Sequence, residues 1–175
     1  MKRTGLMLAV FGLFVFAQVA PADWAPTKRL TWNSGDSFFP GIAVDSSGNP
    51  HVVWVDSTPG KYEIYYKNST DAGVTWLTSQ RLTWNPGNSD NPDIVIDTSG
   101  NVHMVWSYDF GGFIVYKKSM DGGATWTSAQ RLTWVPGLPS LPVIAADSSE
   151  NLHLVFYSFI EGGENAEVFY RKYMK

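Results

Sequence analysis

Ser69-Thr70-Asp71-Ala72-Gly73-Val74-Thr75-Trp76 returns as Ser119-Met120-Asp121-Gly122-Gly123-Ala124-Thr125-Trp126, at the same place in a longer unit. Outward from it, Arg29-Leu30-Thr31-Trp32 recurs as Arg81-Leu82-Thr83-Trp84 and Arg131-Leu132-Thr133-Trp134, in steps of 52 and 50 residues. Asp45-Ser46-Ser47-Gly48-Asn49 recurs at the same steps, as do Pro40, Pro92 and Pro142, and Trp54, Trp106 and Phe156. A period of about 50 residues in a chain of short apolar runs and glycine turns implies the blades of a β-propeller or a related repeat array.

Each unit carries four strand signals in order. Gly41 to Val44 is an apolar run, with Asp93 to Ile96 and Val143 to Ala146 as its equivalents. The turn Asp45 to Asn49 follows, where the Asx side chains can bond nearby amides and Gly48 or Asn49 can take positive φ. Val52 to Val55 and then Glu63 to Lys67 are β-branched and aromatic, and read as the second and third strands. The octapeptide then leads into a fourth strand starting at Gln80-Arg81-Leu82-Thr83. Within the octapeptide the aspartate accepts amides of the turn, Gly73 and Gly123 supply left-handed backbone, and Trp76 and Trp126 fold back as apolar plugs. Runs such as Ile42-Ala43-Val44 and His51 to Val55 are continuous enough to lie buried between neighbouring blades. The fold class is therefore all-β, a propeller of four-stranded antiparallel blades, with three blades' worth in this chain.

Residues 1–22 read as a secretory signal peptide. Lys2-Arg3 precedes the apolar run Leu6 to Phe16 and a small-residue exit, with cleavage after Ala17, Ala20 or Ala22 each compatible. The run is too short to span a bilayer, so the product is secreted or periplasmic, with no membrane span after cleavage. Residues 23–175 then form one domain of repeats at about 28–80, 81–130 and 131–175, large enough to bury a core. A formal charge of -3 with scattered basic residues excludes an electrostatic footprint for nucleic acid. With no cysteine, stability comes from packing, and the 8 Trp, 8 Tyr and 10 Phe supply it.

The two octapeptides resemble the Asp-box pattern Ser-x-Asp-x-Gly-x-Thr-Trp, or BNR repeat, of sialidases and other secreted propellers. The resemblance implies a sialidase-like propeller, and it marks a blade turn without fixing an activity. A sialidase of this type also holds the substrate carboxylate with three arginines, one in an Arg-Ile-Pro motif. It uses a tyrosine nucleophile with a glutamate, and an aspartate as acid/base. This chain has no Arg-Ile-Pro, and Phe39-Pro40 lacks the arginine. Arg29, Arg81 and Arg131 are repeat positions on expected outer strands. No catalytic residue is assigned.

Other conspicuous residues read as scaffold. His51, His103 and His153 share one repeat position, where an imidazole bonded to a turn carbonyl is expected rather than a metal ligand. Asp45, Asp97 and Asp147 read as Asx turns, not calcium loops. Tyr66-Lys67, Tyr116-Lys117 and Tyr170-Arg171 are expected to place one residue inside and one in solvent. No metal or cofactor is expected. Residues that break the repeat are the candidates for ligand binding: Phe38, Tyr62, Tyr108, Phe110 and Phe159, the last opening an inserted stretch to Glu167. Rings of this kind stack on sugars.

The expected function is non-catalytic recognition or scaffolding of a glycan or other cell-surface material. The alternative is an exo-sialidase or other glycoside hydrolase, or a fragment of one. The repeat is out of phase with the chain: Lys28 to Trp32 is a fourth-strand sequence ahead of the first blade, and Tyr173-Met174-Lys175 stands where an octapeptide would begin. Three blades are too few for a closed ring of about four to eight. Two chains completing one six-bladed ring as a homodimer, a piece of a longer protein, and an open array all satisfy this.

Overall fold

A computed structural model of the chain describes residues 24–110, 112–134, 137–160 and 165–175. The expected signal peptide, 1–22, lies outside the described residues. The first sheet takes strands β1 (Ser37–Val44), β2 (Pro50–Asp56), β3 (Glu63–Asn68) and β4 (Gln80–Arg81) in spatial order. The second takes β5 (Ser89–Ile96), β6 (Val102–Tyr108), β7 (Phe113–Ser119) and β8 (Gln130–Arg131). The third holds β9 (Ser140–Ala146), β10 (Leu152–Phe159) and β11 (Ala166–Tyr173). All pairings are antiparallel. The first strands pack against one another, β1 on β5 and β5 on β9, so the sheets converge at β1, β5 and β9 and fan outward. That is a propeller array of three blades.

Two cores lie between the blades. Val53, Val55, Ile64 and Tyr66 of the first sheet meet Ile94, Val102, Met104 and Trp106 of the second. Val105 and Ile114 of the second meet Ile144, Leu152, Leu154 and Phe156 of the third. The second sheet thus packs a blade on both faces, which is why its central strand reads as an unbroken apolar run. Gly41 lets the inner strands approach: a Cβ there would stand 3.1 Å from Val53 Cγ2 and 3.4 Å from the Pro92 carbonyl. Each inner strand also carries an irregularity ahead of its proline. Phe39, Asn91 and Leu141 adopt φ of 51°, 48° and 47°, a left-handed backbone that side chains rarely take.

The octapeptide turns are built from their own side chains. Ser69 Oγ accepts the amides of Asp71 (3.2 Å) and Gly73 (2.9 Å) and donates to Asp71 Oδ1 (2.7 Å). Asp71 in turn accepts the Thr75 amide (2.8 Å) and hydroxyl (2.6 Å), and Ser119, Asp121 and Thr125 repeat the pattern. Trp126 seats against the first core, edge-on to Tyr66 at 5.1 Å, whereas the half-buried Trp76 leaves its indole nitrogen without a partner among the described residues.

Several expectations are corrected. Lys28 to Trp32 forms no strand, and the fourth strands shrink to the pairs Gln80–Arg81 and Gln130–Arg131. Ile42 and Val44 are exposed, at 64 % and 57 %, because their face of the first sheet has no neighbouring blade. The histidines bond side chains, not carbonyls. Nδ1 of His51, His103 and His153 meets the hydroxyl of Tyr66, Tyr116 and Tyr170, while Nε2 faces Asp45, Asp97 and Asp147. Tyr66 and Lys67 are both buried, since Lys67 turns its ammonium onto the Leu30 carbonyl at 2.9 Å.

That last contact is a repeated latch. Lys117 Nζ donates to the Leu82 carbonyl at 2.8 Å, and Arg171 donates to that of Leu132. Each cation also sits over the tryptophan of the same tetrapeptide: Lys67 on Trp32, Lys117 on Trp84 and Arg171 on Trp134, at 5.8 to 5.9 Å. The tetrapeptide ending one unit is thus bolted to the third strand of the next.

Replacing Asp71 or Asp121 by alanine should lower Tm at neutral pH, by leaving turn amides and a threonine hydroxyl unpaired. Hydrogen bonds from Thr75 and Ser69 hold the Asp71 carboxyl down at about 2, below the ordinary aspartate value of about 3.9. A depressed pKa gives stability that is present above the unfolded value and lost as pH falls through the folded one. The Tm gap between wild type and Asp71→Ala should therefore narrow between about pH 4 and about pH 2. A gap that ignores pH would remove the carboxylate from the explanation.

Candidate functional site

Antiparallel order sorts the connections to two ends. The octapeptides and the Asx turns share one end. The β2–β3, β4–β5 and β6–β7 loops share the other, where five residues break the repeat.

At this loop end the structure brings three of the five predicted rings together. Phe38 meets Tyr62 edge-on at 5.0 Å, and Tyr62 meets Phe110 edge-on at 5.9 Å. Phe39 extends the row, 5.2 Å from Phe38, and both Phe39 and Phe110 are more than half exposed. Tyr108 stands alongside: its ring packs on Phe113 at 4.8 Å, and its hydroxyl accepts the Gly87 amide at 3.1 Å. Phe159 does not join them. It belongs to the third blade, edge-on to Tyr157 at 5.9 Å and partly exposed.

Sequence reasoning missed the polar groups beneath the rings. Asn88 Oδ1 accepts the Tyr62 amide (3.0 Å), its carbonyl accepts the Asp109 amide (2.7 Å), and the Ser89 amide donates to the Tyr62 carbonyl (2.8 Å). Asn88 thereby ties two loops of neighbouring blades to one point. Next to it, Ser89 Oγ and Asp90 Oδ1 are buried without a hydrogen-bond partner among the described residues. Burial, and then the nearby Asp109 carboxylate, push the Asp90 carboxyl up to about 6. Asp109 and Phe110 both sit at φ of 52°. A strained loop, an unpaired acid and a ring surface are the marks of a site rather than of a fold. Asn88, Asp90 and Asp109 carried one sequence signal, in that none of them repeats in the other two units, whereas Ser89 recurs as Ser37.

The opposite end holds a cleft of about 480 Å³ between the second and third blades, lined by Tyr116, Lys118, Gln130, Arg171 and Tyr173 over Leu152 and Leu154. One junction earlier the octapeptide of the second blade fills the same place: Tyr66 donates to the Gly122 carbonyl (3.1 Å) and Gln80 to that of Gly123 (3.2 Å). The cleft is thus a seat for a turn, built from repeat positions.

The guanidinium groups are committed elsewhere. Arg29, Arg81 and Arg131 each donate Nε to the threonine carbonyl two residues on, and Arg81 also grips the buried Glu63 at 2.8 Å. Arg171 serves its latch. Arg131 also lies over the Phe113 ring at 4.5 Å, and no cation–ring contact joins an arginine to Phe38, Phe39, Tyr62 or Phe110 among the described residues. No group of three or more His, Cys, Asp or Glu is placed to hold a metal among the described residues, and no helix there is long and apolar enough to cross a membrane.

No family model and no curated protein matches the chain. Solved structures do match it. The GH93 α-L-arabinofuranosidase of Fusarium graminearum aligns with TM-score 0.59 at 17% identity, over 78% of this chain and 45% of that one. An endo-1,4-β-xylanase from Bacteroides thetaiotaomicron aligns with TM-score 0.55 at 14% identity, over 84% and 57%. The intramolecular trans-sialidase from Ruminococcus gnavus aligns with TM-score 0.53 at 20% identity, over 78% and 28%. This chain spans little more than half the length of these proteins or less. At such identities the likeness is one of fold alone: the chain is a partial β-propeller, similar in fold to these three enzymes.

Asp90 yields a signed prediction. Its raised pKa means that its own contribution to stability is fully present below about pH 4 and is lost as pH rises through about 6. Asp90→Asn should therefore raise Tm at pH 7.5, by an amount equivalent to roughly 3 kcal/mol at most, and the gain should fade below about pH 5. Thermal melts of both proteins across this range test it. A gain of constant size would show that ionisation of Asp90 is not the cause.

Proposed function

We propose that this chain is a secreted propeller module that recognises carbohydrate without hydrolysing it, its Asp-box turns serving as folding devices. The observation that carries the reading is the row Phe39, Phe38, Tyr62 and Phe110 at the loop end. Apolar faces of sugar rings stack on such surfaces, and Asp109 and Asn88 stand beside it to meet hydroxyls. The likeness of the fold to carbohydrate-active propellers supports the same substrate class. The commitment of each described arginine to a scaffold contact weakens the sialidase version, which needs guanidinium groups for a carboxylate.

A hydrolase of another specificity is the second reading, and Asp90 is the observation that favours it. A buried acid raised to about 6 beside a second carboxylate is the usual arrangement for protonating a leaving group.

A glycan array probed with the full chain should show binding to a defined set of saccharides. Phe110→Ala should weaken that binding by about tenfold or more, the order of one lost stacking contact, with Tm nearly unchanged because the ring is exposed. Binding that survives both Phe110→Ala and Tyr62→Ala would remove the ring row from the site. Fluorogenic sialosides, arabinofuranosides and xylosides separate the two readings. Turnover abolished by Asp90→Asn would establish the hydrolase.

A further inference from the structure

The two outer blades expose surfaces that are buried between the inner ones. On β1, Ile42 and Val44 are exposed at 64 % and 57 %, whereas their equivalents Ile94 and Ile96 pack in the first core. On the third blade, Val155, Val168 and Tyr170 are exposed at 38 %, 79 % and 60 %, whereas their equivalents Val105, Ile114 and Tyr116 pack in the second. These open faces are the two halves of one junction, the one already made twice inside the chain. Complementary halves at opposite ends of a molecule make a heterologous interface, which closes when the rotation permits.

The tetrapeptide supplies the register. Leu82 acts on two blades: its amide donates to Ile64 of its own blade (2.8 Å), and its carbonyl accepts Lys117 of the next. Leu132 does the same with Ile114 and Arg171. Leu30 shows half of this pattern, with its carbonyl on Lys67. Beside it, Thr83 Oγ1 and Thr133 Oγ1 accept the amides of Ile64 and Ile114, and Thr31 is their equivalent. The position equivalent to Ile64 and Ile114 in the third blade is Val168, on β11, whose outer edge is unpaired among the described residues.

We infer that the occupant of both open faces is a second copy of this chain. Lys28–Trp32 of each copy adds as the fourth strand to β11 of the other. Leu30 N then donates to the Val168 carbonyl, Thr31 Oγ1 accepts the Val168 amide, and Arg29 lies opposite Phe169. Two copies give six blades, the one multiple of three within the range of about four to eight in which propellers close. The inference stands apart from the ligand reading, because it uses neither the ring row nor Asp90.

Light scattering on the full chain at micromolar concentration should give the mass of two copies. One copy, or a mass that grows with concentration into larger assemblies, overturns the ring of two. Because the chain has no cysteine, Arg29→Cys and Phe169→Cys can be placed on separate chains and refolded together. The residues face each other as a non-hydrogen-bonded antiparallel pair, close enough for a disulfide. The mixture should form a cross-linked dimer under oxidation, and each variant alone should not. No cross-link, or a double variant that closes internally as a monomer, refutes the exchange. Val168→Lys, at a position exposed in the single copy, should yield a monomer that keeps the β-sheet circular dichroism of the parent; an unchanged dimer counts against the interface.

Discussion

A strand that is apolar on both sides can be buried only between two other layers, and that constraint governs this chain. β6 is buried along nearly its whole length, between the first blade on one face and the third on the other. Backbone pairing within a sheet does not supply those neighbours. The connection between sheets rests on side chains, and its most regular part is the latch in which Lys67, Lys117 or Arg171 crosses to the Arg-Leu-Thr-Trp segment of the unit before. A buried ammonium needs acceptors, and a free leucine carbonyl with an indole face provides them. Burial pushes the Lys117 pKa down, so the latch works against desolvation.

The latch explains both what the sequence made legible and what it hid. Repetition made the blades readable, because each unit restates the same turns at the same spacing, and the side chains that build those turns lie within four residues of one another. The octapeptide and the Asp45 to Asn49 turn are local devices of this kind. Contacts across about 37 residues, such as Lys67 to Leu30, leave no local pattern. Alternation on a strand therefore assigned Lys67 to solvent, although its long stem lets the charged end leave the face on which its Cβ stands. Ile42 and Val44 failed in the opposite sense: their apolar character recorded a neighbour that three blades do not provide.

The candidate site was legible only by subtraction. Phe38, Tyr62 and Phe110 were found because they do not recur, and the structure placed them in one row. Asp90 and Asn88 were missed because an isolated acid or amide in a polar loop carries no periodic signal. What distinguishes Asp90 is three-dimensional, namely a buried oxygen without a donor and a second carboxylate nearby.

The two ends of the array consequently divide their work. At one end three Asp–His–Tyr sets and two octapeptides bind most of their polar groups internally by a repeated pattern, which fixes the blades and leaves little chemistry free; His51, 3.8 Å from Asp45, and the unpaired Trp76 indole nitrogen are the departures from it. At the other end the units differ, the backbone of Asp109 and Phe110 is strained, and buried polar atoms stand unpaired. Strain and unpaired groups persist only where the surrounding structure is firm enough to hold them. The regularity of the turn end, with the latch that joins one blade to the next, is what allows the loop end to be irregular.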